Sequence, residues 1–157
     1  MDTPTPRRGP HVAVYGVLSR PGAVLFLRRA GTGYRDGQLT LPAGHLDGGE
    51  AAAAGLAREL AEELGIRVDP GACTLVLVVH RAPEFAGDRE YVDLVFSVAA
   101  WEGTPRNAEP AKASEVVWAD PDALGADVLP HLPAVLAAIA GGERLLTVGF
   151  DAAPDVR

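Results

Sequence analysis

The chain has 157 residues, a formal net charge of -7 and a single cysteine, Cys73. This length suits one domain with a core of its own, and a lone cysteine excludes a disulfide framework or a cysteine-rich zinc site. The acidic balance argues against a nucleic acid partner, because duplex binding needs clustered Lys and Arg. Without a signal peptide pattern or about 18 consecutive apolar residues, the sequence predicts a cytoplasmic protein with no membrane partner.

The first forty residues predict an arm, a hairpin and a loop. The Pro-rich residues 1–10 lack apolar periodicity and predict a flexible arm before a single domain over residues 11–157. Two apolar runs, 11–18 and 23–29, flank a turn-rich spacer and predict a β-hairpin. A glycine-rich loop follows and leads into a short strand at residues 38–41.

The remaining chain predicts more strands than helices. Alanines, leucines and glutamates over residues 50–64 predict a helix that Gly65 ends. Further predicted elements are strands at 74–81, 91–101 and 116–119 and a helix at 129–140, with Pro130 and Pro133 in its opening turn. The elements do not alternate regularly, so we expect the α/β (α+β) class with a mixed sheet.

Three glutamates give the strongest chemical signal. Glu59, Glu62 and Glu63 stand at i, i+3 and i+4, so a helix projects their carboxylates from one face. Such a trio is most often a solvated acidic surface. Here it lies near the helix C-terminus, where the helix dipole disfavours negative charge. A divalent cation would relieve this penalty and also the repulsion among three like charges. Hard oxygen ligands favour Mg²⁺, with Mn²⁺ as an alternative.

The residues before the helix form a glycine-rich loop followed by an acid and a base. Gly44, Gly48 and Gly49 permit close backbone approach. Glu50 and Arg58 are two helical turns apart, so Arg58 can clamp Glu50 or a site carboxylate through a bidentate contact. We therefore predict a structural role for Arg58.

The segment from Gly44 to Ile66 resembles the Nudix box: Gly, five residues, Glu, seven residues, Arg-Glu-aliphatic-any-Glu-Glu-any-Gly-aliphatic, with every fixed position matched. The resemblance implies an α/β/α sandwich with a mixed β-sheet, and a metal-dependent hydrolase that cuts a diphosphate linkage. It also implies that Glu59, Glu62 and Glu63 bind the metal together with the Ala43 carbonyl. The box positions with an implied structural role are Gly44, Glu50, Arg58 and Gly65.

A general base must collect a proton from the attacking water. By geometry Glu62 or Glu59 can do so, and many Nudix enzymes carry another glutamate on a later loop or strand. Glu109 and Glu115 are the candidates for that place, and we favour Glu109. An ordinary surface carboxylate is the alternative for each of them.

Substrate contacts are predicted outside the box. Arg29 resembles the arginine that contacts substrate phosphate in related enzymes, and His45 is a further phosphate-binding candidate. Among the aromatic residues, Tyr34 lies in a loop and is the candidate for base recognition, whereas Tyr91 and Trp118 lie in apolar runs that favour core packing.

The leading hypothesis is a pyrophosphohydrolase acting on a nucleoside triphosphate or modified nucleotide, a small-molecule substrate. ADP-ribose or nucleotide-sugar hydrolysis is the alternative, with Pro83 near a position where the ADP-ribose group often carries proline. A non-catalytic nucleotide sensor is a different class, but sensors usually have an eroded box. Isoprenoid diphosphate isomerisation is disfavoured because Cys73 adjoins an apolar strand.

The apolar tail at 145–150 can pair with the sheet or with a second copy of the chain. A homodimer is therefore an open alternative.

Overall fold

The computed structural model describes residues 9–150. Most of the predicted arm at 1–10 and the last seven residues of the predicted domain lie outside this range. Within it, the strands are β1 (His11–Arg20), β2 (Ala23–Arg29), β3 (Leu39–Thr40), β4 (Ala43–His45), β5 (Cys73–Arg81), β6 (Tyr91–Val98), β7 (Ala113–Ala119) and β8 (Leu145–Val148). The helices are α1 (Ala52–Leu64) and α2 (Leu132–Ala140), and a single 3₁₀ turn spans Pro70–Ala72.

Both helices begin slightly later than the sequence predicts. Ala51 keeps an extended backbone (φ -72°, ψ 147°), so α1 starts at Ala52. It ends as predicted at Gly65, whose left-handed φ of 65° lets its N–H donate to the Ala61 carbonyl. In α2, Pro133 lies in the opening turn as predicted, whereas Pro130 precedes the helix.

The strands form one mixed sheet in the order β3-β2-β1-β6-β5-β8. β1 pairs in parallel with β6, and β5 pairs in parallel with β8, so the apolar tail does join the sheet. The other pairs are antiparallel, with β4 attached to β1 and β7 attached to β2. The mixed sheet predicted from the sequence is confirmed.

The first hairpin opens along its length. β1 and β2 pair only beside the turn, at Ser19 with Val24 and at Arg20 with Ala23. Farther from the turn, β1 pairs with β4 and β2 pairs with β3, so the two long strands no longer pair with each other. The two long strands therefore diverge and leave a cleft between them.

The two helices cover opposite faces of the sheet. Leu25 and Leu27 of β2 belong to the core cluster that contains Leu56, Leu60 and Leu64 of α1. The alternate β2 residues Val24 and Phe26 belong to the cluster that contains Leu132, Val135 and Ala138 of α2. Since successive strand residues point to opposite faces, this alternation confirms an α/β/α sandwich. Among residues 9–150, no helix is long and apolar enough to cross a membrane.

Candidate functional site

A cavity of about 350 Å³ lies where β1 and β2 diverge. Strands β1 to β4 form its floor, α1 provides one wall, and the segment before β7 provides another. Its lining residues are Ala13, Tyr15, Leu27, Arg29, Thr32, Thr40, Ala43, Gly44, His45, Asp47, Glu59, Glu63, Glu109, Lys112 and Ala113.

Two of the three helix glutamates face this cavity. Glu63 accepts a hydrogen bond of 3.0 Å from the Ala43 N–H, and burial raises the pKa of its carboxyl to about 8. Burial also raises the pKa of Glu59, against the opposing effect of the Arg58 guanidinium. Glu62 does not line the cavity formed by the described residues, and 49% of its side chain is exposed. The three acids thus occupy three different environments along one helix face.

Arg58 organises the acidic face. Its Nε and Nη2 donate to the two oxygens of Glu50 at 3.1 and 2.7 Å, a bidentate contact. Its Nη1 donates to Glu59 at 2.9 Å and lies 3.5 Å from Glu62, while Nη2 also donates to the His45 carbonyl. The bidentate contact with Arg58 lowers the pKa of Glu50. One guanidinium therefore connects α1 to the loop that precedes it.

Gly44 makes room for Glu59. A Cβ atom built on Gly44 would overlap the Glu59 carboxyl group, whereas one built on Gly48 would meet nothing within 4 Å. The β4 backbone can therefore lie directly against the carboxylate only because position 44 has no side chain.

The segment before β7 brings a carboxylate and a cation to the cavity. Glu109 and Lys112 both line it, and the Lys112 Nζ lies 3.2 Å from Glu109 Oε1. Glu115, the other candidate, lies on β7 and pairs with Arg28 at 2.5 Å, away from the cavity lining. Lys112 was not predicted from the sequence, although its spacing of three residues from Glu109 was a usable signal.

Arg29 reaches the cavity from the end of β2. A β-bulge shifts the register there, so Arg28 is opposite Glu115 but Arg29 is opposite Ala113. The Arg29 Nε donates to the Tyr34 carbonyl at 2.8 Å, and its Nη2 donates to Thr32 Oγ1 at 3.0 Å. The guanidinium is thus held against the loop after β2 while Arg29 lines the cavity.

His45 lines the cavity as well, and its ring packs against β6. Its ring stacks on Tyr91, with centroids 5.8 Å apart and planes 12° apart. The Arg81 guanidinium lies 4.7 Å from the Tyr91 centroid, and Arg81 is itself paired with buried Asp93 at 2.5 Å. Tyr91 therefore packs between two polar groups, rather than only among apolar residues.

Tyr34 does not line the cavity formed by the described residues. Its ring lies behind the Arg29 guanidinium, 5.3 Å from it, and 6.4 Å from the ring of Phe85. The loop is fixed rather than open, because the Asp36 carboxylate accepts hydrogen bonds from Thr32 and Gly33. The tyrosine that does line the cavity is Tyr15, which was not predicted from the sequence, and burial raises its pKa.

The donor set suits a hard divalent cation. Glu59, Glu63 and Glu109 offer carboxylate oxygens beside the Ala43 backbone, and the burial that raises the pKa of Glu63 would be offset by a nearby positive charge. Among residues 9–150, no three His, Cys, Asp or Glu side chains already form a metal-binding cluster. Glu59 is instead engaged by Arg58 and Glu63 by the Ala43 N–H.

Comparisons with known proteins point in one direction. Residues 7–139 match the family model described as NUDIX domain. A MutT NUDIX hydrolase from Burkholderia pseudomallei is 28% identical, with a TM-score of 0.73 over 85% of this chain and 98% of that one. A NUDIX hydrolase from Nitrosomonas europaea is 22% identical, with a TM-score of 0.72 over 88% and 93% of the two chains.

A further solved structure has the same fold. A MutT protein from Methanosarcina mazei Go1 is 18% identical, with a TM-score of 0.70 over 83% of this chain and 93% of that one. No curated protein sequence matches the chain. The family model spans most of the chain, and the cavity gathers residues of the box on its wall. The chain therefore belongs to the Nudix hydrolases, enzymes that cut phosphoanhydride bonds in nucleoside diphosphate derivatives.

Proposed function

We propose that the protein hydrolyses a nucleoside triphosphate or a modified nucleotide with Mg²⁺, releasing a nucleoside monophosphate and pyrophosphate. The observation that carries this proposal is the charge arrangement of one cleft. Glu59, Glu63 and Glu109 line it together with the cations Arg29 and Lys112. Carboxylates can hold a cation, and the two basic side chains can hold the phosphate oxygens around it.

Glu59, Glu62 and Glu63, with the Ala43 carbonyl, would hold the metal. When bound, the ion neutralises phosphate charge and makes a bound water more acidic. Glu62 lies outside the cavity lining, but Arg58 Nη1 contacts both Glu62 and Glu59, which keeps the two carboxylates around one group. Mn²⁺ satisfies the same oxygen donors and is the alternative ion.

The remaining residues bind and orient the diphosphate. Arg29 is held by hydrogen bonds to Tyr34 and Thr32, so its remaining donors can meet phosphate oxygens without first losing side-chain freedom. His45 lines the same cleft and is the further phosphate-binding candidate. In the reaction the water oxygen bonds to phosphorus, the bond from that phosphorus to the bridging oxygen breaks, and a carboxylate takes the water proton.

We assign to Glu109 the role of the additional glutamate that many Nudix enzymes carry on a later loop or strand. Glu109 lines the cavity, whereas Glu115 pairs with Arg28. We expect Glu109→Gln to lower kcat by about 100-fold. Glu115→Gln is the matched control and should leave kcat near the wild-type value. A slow Glu115→Gln beside a normal Glu109→Gln would reverse the assignment.

The decisive experiment incubates the purified protein with Mg²⁺ and a panel of triphosphates, oxidised nucleotides, ADP-ribose, nucleotide sugars and dinucleoside polyphosphates. Chromatography then identifies the products, with EDTA and the Glu63→Gln variant as controls. Metal-dependent release of a monophosphate with pyrophosphate supports the proposal. AMP with ribose 5-phosphate would instead identify an ADP-ribose hydrolase, and nucleotide binding without any turnover would favour a sensor.

A further inference from the structure

The segment 107–113 carries Glu109 and Lys112 but lies outside regular secondary structure until β7 begins at Ala113. It is fastened first to the C-terminal end of α1. The Arg106 N–H donates to the Leu64 carbonyl at 3.0 Å, and the Ala108 N–H donates to the Glu63 carbonyl at 2.9 Å. The same helix end that presents Glu63 thus sets the start of this segment.

A second set of bonds closes the segment on itself. The N–H groups of Lys112 and Ala113 both donate to the Glu109 carbonyl, at 2.9 and 3.1 Å. Across the base of the turn, Asn107 Nδ2 donates to the Ala113 carbonyl at 2.7 Å. These bonds fix the turn internally but do not by themselves fix its tilt over the cavity.

The third contact sets that tilt, and it depends on Gly31. The Ala30 N–H donates to the Lys112 carbonyl at 3.0 Å, which draws the two backbones together. A Cβ atom at Gly31 would lie 2.5 Å from the Ala111 carbonyl oxygen, a backbone atom that cannot rotate aside. Any side chain at position 31 would therefore push the segment away from β2.

We propose that Gly31 is a positioning residue for the hydrolytic site: the absence of a side chain there lets the 107–113 segment lie against the chain after β2 and hold Glu109 and Lys112 at the cavity. The functional part of this inference rests on the proposed role of Glu109. The structural part rests only on the contacts.

The chain offers a matched control in the same loop. Gly31 and Gly33 both have left-handed φ angles, 67° and 77°, so alanine suffers similar backbone strain at either position. A Cβ at Gly33, however, would meet nothing within 4 Å. Any difference between the two alanine variants therefore reports the contact with Ala111.

Hydrogen exchange tests the structural part without a substrate. In Gly31→Ala, the amide of Ala30, which donates to the Lys112 carbonyl, should lose protection relative to wild type, while in Gly33→Ala it should keep it. Equal protection of this amide in the two variants would overturn the proposal, whatever the enzyme hydrolyses.

A double-mutant cycle tests the functional part once wild-type turnover has been established. Gly31→Ala should lower kcat by about 10- to 100-fold in the wild-type background. In the Glu109→Gln background the loss should be much smaller, because only Lys112 remains to be displaced. Additive losses would show that Gly31 acts elsewhere and would overturn this part, whereas an inactive wild type would refute the proposed function instead.

Asn107→Ala provides a second route if Gly31→Ala does not fold. It removes the side-chain bond across the base of the turn without backbone strain. The amides of Lys112 and Ala113 should lose protection in this variant, and its effect on kcat should again be much smaller in the Glu109→Gln background. Full protection of Lys112 and Ala113 in Asn107→Ala would count against a segment that must be held in place.

Discussion

The two helices cover the same sheet but differ in what they bury. α2 places Leu132, Val135 and Ala138 in the core and has no charged residue along its length. α1 buries Leu56, Leu60 and Leu64 in the same manner, yet it also holds Glu63 in a half-buried position where desolvation raises the pKa of its carboxyl group. One layer is satisfied by packing alone, while the other contains a carboxylate that burial disfavours.

This difference separates stability from chemistry. Carboxyl groups with a perturbed pKa concentrate at functional sites. Variants on the α1 face should therefore affect turnover, and variants on the α2 face should affect the free energy of unfolding.

The largest expected effect is on the α1 side. Glu63→Gln should lower Mg²⁺-dependent kcat by about 1,000-fold, because the neutral amide is a poor ligand for a hard cation. Steady-state kinetics of the purified variant measures this, with circular dichroism to verify the fold. Normal turnover in a folded Glu63→Gln protein would remove the distinction between the two helices.

The complementary variant lies on the α2 side. Leu132 is 3% exposed, so Leu132→Ala should lower the free energy of unfolding by about 2–5 kcal/mol and leave kcat unchanged. Leu145 is 61% exposed, and Leu145→Ala is the control, with an expected change of less than about 0.5 kcal/mol. Urea denaturation gives both values; similar losses in the two variants would contradict the packing described for α2.

Gly44→Ala sharpens the comparison within the α1 side. The added Cβ must displace the Glu59 carboxyl group, so kcat should fall by about 100-fold. Gly48→Ala has open space and should retain wild-type kcat. Kinetics of the two variants at saturating Mg²⁺ decide the matter, and equal activity would mean that Glu59 need not occupy its present position.

The smallest effect concerns pH. Burial raises the pKa of Glu63 from 4.5 to about 8, so the metal-free protein gains stability from this group below pH 4.5 and loses it as pH rises towards 8. Glu63→Gln should remove about 1–2 kcal/mol of that decline, once solvent screening is allowed for.

Thermal unfolding in EDTA from pH 5 to 8.5 measures this effect as the difference between variant and wild type. The difference is required because burial lowers the pKa of His131 to about 4, which acts in the opposite direction below its ordinary value of 6.5. Parallel profiles for the two proteins would mean that Glu63 carries no burial penalty.

Much of the fold could be predicted from local patterns. Apolar runs located the strands, and Gly65 marked the end of α1, because both signals act within a few residues. The predicted start of α1 was less accurate, because Ala51 remains extended although alanine favours a helix. Position 101 was predicted to be in a strand, but β6 ends at Val98.

Helical spacing predicts only part of the site, and the expectation that Arg29 and Glu109 belong to it came from the family resemblance. Glu59 and Glu63 follow from helical spacing, whereas Lys112 and Tyr15 reach the cavity through sheet pairing between distant segments. Tyr34 was expected at the substrate because it lies in a loop. Its ring instead lies behind Arg29, a consequence of the Asp36 hydrogen bonds that no periodic pattern encodes.

The parallel pairing of β1 with β6 also has a consequence for the order of folding. His11 is opposite Tyr91, so β1 can pair with β6 only after the chain has been synthesised past residue 91. Contacts this distant in sequence are slow to form, because a long loop must close before they contribute. The helix with its three glutamates can form early from local interactions, but the cavity in front of it is completed only when the second half of the chain has been made.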